Sequence, residues 1–134
     1  MDASAQHPLK AALKKIVRSV DGLCHLFVSD RDGMPLIQIP AENATGADAY
    51  IKPHQLAAYP AAVEQTKKLQ FGTHQHMVCV YNNYQLVLLN CGALNVTMVA
   101  TSQANTGLLL QLRKDLEPIL TELQSITAEA LPRD

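Results

Sequence analysis

The chain has no tryptophan and few other aromatics, four Tyr and two Phe in 134 positions. That scarcity argues against a carbohydrate-stacking or base-stacking platform, which needs exposed aromatic faces. It also lacks an excess of charge of either sign. Eleven Lys and Arg against twelve Asp and Glu leave a formal net charge of −1, so no overall field favours nucleic acid, an anionic membrane or acidic substrates. No apolar run approaches the ~18 residues that a spanning helix needs. The N-terminal residues show no apolar core of the signal-peptide kind. Any membrane association is therefore expected to run through a partner. Cysteine is scarce and odd in number (Cys24, Cys79 and Cys91), each in an apolar strand pattern. Buried, reduced thiols in a reducing compartment are the expectation.

Catalytic signatures are missing as well. There is no Gly-x-Ser-x-Gly elbow, Walker loop or Rossmann glycine fingerprint, so neither a nucleophile nor a cofactor is indicated. Asp30 and Asp32 resemble the start of a calcium loop, but Gly33-Met34-Pro35-Leu36 follows with no further oxygen ligand, so no metal is expected there. His74 and His76 could share one side of a strand, yet Cys79 has the opposite parity and does not complete a zinc site. A small thiol or metal enzyme using Cys79 or Cys91 with His74 or His76 is the alternative from another function class. Asn105-Thr106-Gly107 could present free amides to an anion, though plain helix capping explains it better. Sequons at Asn43 and Asn95 carry no meaning without secretion, and Asn95 falls inside a strand pattern.

What is present is one domain's worth of periodic segments. Leu9, Ala12, Leu13, Ile16, Val17 and Val20 have helical spacing, and Lys10, Lys14 and Arg18 fall on the opposite side. The basic residues form either a solvated face or a docking stripe for an acidic partner. Asp21-Gly22 ends this helix. Leu23–Ser29 and Met34–Ile39 read as strands joined by Asp30-Arg31-Asp32-Gly33, with Gly33 suited to the left-handed position of a turn plus bulge. A long turn-rich loop runs from Pro40 to Pro53. A helix follows from about Gln55 to Leu69, surfaced by small residues. Pro60 either kinks it or marks where its regular part begins. His76–Tyr81 and Tyr84–Asn90 form a hairpin about Asn82-Asn83, which tolerate the positive φ of tight turns. Leu94, Val96, Met98 and Ala100 alternate along a further strand. Ser102 or Asn105 then caps a last helix with a stripe of Leu109, Leu112, Leu116, Ile119, Leu120, Leu123 and Ile126, and Pro118 is expected to bend it. The short connections make the sheet mostly antiparallel, in a layered α+β domain.

The strand His76–Tyr81 poses the functional question. Met77, Cys79 and Tyr81 point one way and Val78 and Val80 the other, so the strand is apolar on both faces. Nothing in the chain covers its edge, and such an edge invites pairing with another chain. A neighbouring small-residue helix offers a second contact surface. Together they describe a dimer joined sheet to sheet, burying a standard interface of about 1,600 Å².

Three segments carry a resemblance: Val28-Ser29-Asp30-Arg31-Asp32-Gly33-Met34-Pro35, Tyr81-Asn82-Asn83-Tyr84-Gln85 and Ala104-Asn105-Thr106-Gly107-Leu108. In their spacing the chain resembles the MAPK-scaffold subunits of the Ragulator, a family of the roadblock superfamily, from about Leu9 to Thr127. The resemblance implies a roadblock (profilin-like) fold over residues 9–130, between a flexible terminus at 1–8 and a tail at 131–134. Its five-stranded antiparallel sheet would carry the first and last helices on one face and the middle helix on the other. It implies no catalysis and no cofactor. It implies a heterodimer with a second roadblock subunit through the middle helix and third strand, in a complex with other Ragulator subunits. A lipidated subunit would hold that complex on the cytoplasmic face of late endosomes and lysosomes. There the pair would support Rag GTPase-dependent mTOR signalling and scaffold MEK with ERK. The expected dimer interface is then Leu56, Tyr59, Ala62, Val63, Met77, Val78, Cys79, Val80 and Tyr81. The alternatives among binding modules are a roadblock-type dynein light chain and a homodimeric GTPase-regulating subunit.

Overall fold

The computed structural model describes residues 3–40 and 58–130, with side chains described over 8–40 and 58–126. Helix α1 spans Ala3–Ser19. Strands β1 (Leu23–Asp30) and β2 (Pro35–Pro40) follow. Helix α2 covers Ala58–Thr66 and tightens into a 3₁₀ turn at Lys67–Leu69. Strands β3 (His76–Val80), β4 (Tyr84–Cys91) and β5 (Leu94–Thr101) lead to α3 (Thr106–Ala130). All pairings are antiparallel, in the order β2-β1-β5-β4-β3. This is the α+β architecture expected from the strand spacing.

The sheet's alternation sorts its residues into two layers. Leu26 and Val28 of β1, Ile37 and Ile39 of β2, Val87 and Leu89 of β4, and Leu94, Val96, Met98 and Ala100 of β5 join one buried cluster. Helix α1 contributes Leu9, Leu13, Ile16 and Val17 to it, and α3 contributes Leu109, Leu112, Leu116, Leu120 and Leu123. Both helical stripes are those the apolar periodicity picks out, and α1 packs on α3 as well as on the sheet. Each fully buried Leu stabilises the fold by about 1.5–3 kcal/mol. The opposite face holds a smaller cluster, Phe27 and Val99 with Tyr84 and Leu86 against them. His25 stacks on Phe27 there, ring centroids 4.1 Å apart. It lies in β1, which is flanked by β2 and β5 in the sheet.

Local chemistry places the turns. Gly22 has φ +90° and Gly33 φ +90°, both in the region that favours glycine. A Cβ at Gly22 would come within 2.7 Å of Thr101 Oγ1, so the turn also needs the missing side chain. Asp30 is a turn brace. Its Oδ1 accepts the N–H groups of Asp32 and Met34, each at 2.9 Å. Asn105 rather than Ser102 caps α3, with Leu108 N–H donating to Asn105 Oδ1 at 3.1 Å. Pro60 lies within the described part of helix α2, and the expected start of that helix at Gln55 lies outside the described residues.

Three expectations change. α1 starts at Ala3 and includes Pro8, ahead of the predicted start at Leu9. Neither Asn82 nor Asn83 takes positive φ. Their turn is held by Tyr81 N–H donating to Tyr84 O at 2.8 Å and by Ser102 N–H donating to Asn83 O at 3.0 Å, a tie from β5 that local sequence does not display. The three cysteines are half-buried rather than buried. Pro118 lies inside α3, which continues past it to Ala130. Leu56 and most of the Pro40–Pro53 loop lie outside the described residues.

Candidate functional site

β3 is an edge strand, paired through His76–Val80 with Leu89–Gln85 of β4 and with nothing else among the described residues. Two hydrogen bonds fix which way its backbone points. Asn90 N–H donates to Gln75 O at 2.9 Å, and Tyr81 N–H donates to Tyr84 O at 2.8 Å. Polar groups of successive residues alternate between the two sides of a strand. Gln75, Met77, Cys79 and Tyr81 therefore turn their N–H and C=O toward β4. His76, Val78 and Val80 turn theirs outward, as an unused ladder.

The side chains divide as the sequence parity requires. Val78 lies opposite Val87 and Val80 opposite Gln85, on the α1/α3 face. The strand's alternating exposure leaves Val80 76% exposed and Tyr81 53% exposed. Met77 and Cys79, opposite Leu88 and Leu86, are half-buried on the other face. Helix α2 reaches that face: the Tyr59 hydroxyl lies 3.2 Å from the Tyr81 hydroxyl. Burial first, then the bond to Tyr81 and the proximity of Tyr81 and Cys79, push the Tyr59 phenol above its usual range, so it remains a neutral hydrogen-bonding group. Tyr59, Ala62 and Val63 are half-buried, and no residue of α2 is buried. The helix and strand named in advance are thus adjacent, and both are under-covered.

The opposite edge differs. β2 begins and ends in proline, Pro35 and Pro40, and packs against α1. Prolines at the ends and a covering helix blunt an edge. Among the described residues, β3 has no proline and no helix along its outer edge.

Three side chains that sequence reading passed over brace the approach to β3 and the strand beside it. Arg113 of α3 donates to Asn90 O at 2.9 Å and to Gln75 O at 2.5 Å, while Asn90 Nδ2 donates to His74 O at 2.6 Å. These bonds fix the approach to β3 against β4 and α3. Gln85, directly across from Val80, is 3% exposed. Its Nε2 donates to Thr101 O at 3.1 Å and Ala104 O at 3.0 Å, and its Oε1 accepts from Thr106 Oγ1 at 2.6 Å. The available signal was a Gln on the core parity of an otherwise apolar strand.

The chemical alternatives find little geometry. Among the described residues, no three His, Cys, Asp or Glu side chains converge as metal ligands. His76 and Cys79 occupy opposite faces of β3. Cys91 Sγ lies 3.8 Å from Arg113 Nη1, but burial outweighs that charge and raises the thiol pKa, the reverse of nucleophile activation. The cap residues before α3 are used internally, Asn105 by Leu108 and Thr106 by Gln85. Asn95 is buried in β5, so its sequon is not displayed. Among the described residues, no helix is long and apolar enough to cross a membrane.

A family model described as mitogen-activated protein kinase kinase 1 interacting matches residues 7–127. The chain belongs to this MAPKK1-interacting family. Among its relatives is the Ragulator complex protein LAMTOR3 of Homo sapiens, 39% identical over 118 residues, a match covering 88% of this chain and 94% of that protein. The Mus musculus protein of the same name is 39% identical over 115 residues, covering 86% and 91%. In fold, this MAPKK1-interacting chain is similar to the gliding protein MglB of Thermus thermophilus, with TM-score 0.74, 18% identity and coverage of 91% and 95%. It is also similar to a Roadblock/LC7 domain from Streptomyces avermitilis, with TM-score 0.64, 16% identity and coverage of 84% and 97%. The fold is that of a roadblock domain, as the three sequence segments implied.

Proposed function

We propose that this chain is a non-enzymatic scaffold subunit of a Ragulator complex. It pairs with a second roadblock-domain subunit through the outer edge of β3, with α2 packed alongside. The observation that carries this reading is the outward, unpaired backbone of His76, Val78 and Val80, on a strand with apolar faces and no proline. Tyr59, Ala62 and Val63 of α2 and Met77, Val78, Cys79, Val80 and Tyr81 form the described part of the interface, and Leu56 completes the set named from sequence. Membership in the MAPKK1-interacting family and relatives named as Ragulator subunits support the wider assignment: docking of Rag GTPases for mTOR signalling, scaffolding of MEK and ERK, and attachment to late endosomes and lysosomes through a lipidated partner. The absence of an activated thiol or metal-ligand cluster among the described residues gives no reason to invoke catalysis.

The test is native mass spectrometry of the full chain, expressed alone and together with a second roadblock-domain Ragulator subunit. The expected result is a one-to-one heterodimer on co-expression, with the chain alone self-associating or poorly soluble. A stable homodimer that does not exchange with the second subunit would favour the homodimeric GTPase-regulating alternative and contradict the proposal.

A further inference from the structure

Burial does little to hold β3 in the sheet. None of its five residues is buried, so the strand removes little apolar area from water. Its two ends are tied by other elements instead. At the Tyr81–Tyr84 turn the tie is Ser102 N–H, which donates to Asn83 O. At the start of the strand it is Arg113 of α3. Its guanidinium forks between two strands, with Nη1 donating to Asn90 O near the end of β4 and Nη2 to Gln75 O just before β3. Asn90 reinforces the junction, its N–H on Gln75 O and its Nδ2 on His74 O.

Arg113 is itself well placed for this. Leu109, Leu112 and Leu116 around it on α3 are core residues, so the side chain springs from a rigid element. Its remaining polar contact is Cys91 Sγ at 3.8 Å, and among the described residues no carboxylate pairs with it. A planar guanidinium can span two carbonyls in this way. A lysine ammonium is a single point of charge and cannot reproduce the fork.

We propose that Arg113 is the positioning residue of the pairing edge. By bridging the end of β4 to the start of β3, it holds the outward N–H and C=O groups of His76, Val78 and Val80 in ladder geometry before a partner arrives. That role rests on the pairing through β3 proposed above. A strand already in place has less conformational freedom to lose on pairing. A strand in place only part of the time binds more weakly by that fraction. The loss of Arg113 therefore falls on association. Once the pair has formed, β3 is held from both sides and needs the fork less.

The test compares the full chain with Arg113→Ala, Arg113→Lys and Lys114→Ala, the last removing an exposed charge from the next position of α3. Stopped-flow mixing with a dye-labelled second roadblock subunit gives the rates. Arg113→Ala should slow association about tenfold, as a strand in place about a tenth of the time would, and leave dissociation within about twofold. Arg113→Lys, which keeps a donor but not the fork, should fall between, at about threefold. Lys114→Ala should stay within about twofold of the unaltered chain, the ordinary size of an exposed-charge effect. In the free chain, Arg113→Ala should also speed amide exchange at Met77 and Cys79, whose N–H groups face β4, about tenfold through opening of the edge. A residue serving general stability alone would lower the unfolding midpoint and leave the association rate of the folded chain unchanged. An unchanged association rate, an equal loss in Lys114→Ala, or unchanged exchange at Met77 and Cys79 would overturn the assignment. An unaltered chain that does not pair at all would overturn the pairing proposal, and the exchange at Met77 and Cys79 would still decide whether Arg113 holds the strand.

Discussion

Val78→Pro should abolish pairing with a second roadblock subunit while leaving the fold in place. The Val78 N–H points away from β4, as the alternation from Gln75 and Tyr81 shows, so proline removes no bond of the β3–β4 ladder. Edge strands accept proline where the N–H faces outward, and Met77 before it is already extended, as a residue preceding proline must be. On the partner's side the change removes an intermolecular donor and sets the pyrrolidine ring against an incoming carbonyl. A cost of about 3 kcal/mol corresponds to an affinity loss of about 100-fold. Cys79→Pro is the contrast. Its N–H faces β4, so that variant should lose stability by a similar amount whether or not a partner is present. Light scattering with the second subunit, together with thermal unfolding of the chain alone, separates the two. A Val78→Pro chain that still pairs with undiminished affinity would remove β3 as the joining edge.

Gln85→Ala should be among the most destabilising single truncations outside the apolar core. Gln85 joins β4 to the end of β5 and to the first turn of α3 through three bonds, to Thr101, Ala104 and Thr106. Truncation leaves the Ala104 carbonyl and the Thr106 hydroxyl without their partner beside a residue only 3% exposed, while the Thr101 carbonyl keeps the Ala104 N–H at 3.1 Å. Each buried group left unsatisfied costs about 1–3 kcal/mol, partly relieved by relaxation, so a loss of about 2–4 kcal/mol is expected in urea unfolding. Thr106→Ala removes one of the three bonds and should cost about 1 kcal/mol. Equal and small effects of the two variants would mean that Gln85 is not the hub of this junction. Because Gln85 lies across from Val80, the larger loss should also loosen the edge that the partner requires.

Much of this was legible in the sequence because it is local and periodic. Most of the α1 and α3 stripes and the named face of β5 land in the core, with Ala12, Ile119 and Ile126 half-buried at its margin, since burial of one helical stripe or one strand face is what those periods encode. Gly22, Gly33 and Asp30 announced their turns through backbone freedom and side-chain bracing. The parity of Met77, Cys79 and Tyr81 against Val78 and Val80 was correct, and with it the idea of a strand apolar on both faces. What local sequence could not supply was the order of the strands. The exposed edge of β3 was inferred from its two apolar faces, and the family resemblance assigned that edge to a partner. Asn82 and Asn83 do not take positive φ, and the turn they form also accepts, at Asn83 O, a bond from Ser102 of the β5–α3 turn that no local pattern displays. Arg113 reaches across from α3 to Gln75 and Asn90, a contact between distant segments that no spacing rule anticipates. Gln85 was visible only as a polar residue with the wrong parity, and its partners lie sixteen or more positions away.

The most direct measurement on the central claim is residue-resolved amide hydrogen exchange of the full chain, free and bound to a second roadblock subunit. Val78 and Val80 carry outward N–H groups with no partner among the described residues, so they should exchange fast in the free chain. They should gain protection of about 100-fold or more in the pair, as amides entering a sheet ladder do. The β2 residues between Pro35 and Pro40 should not change. A bound pair in which Val78 and Val80 exchange as they do in the free chain would contradict the account.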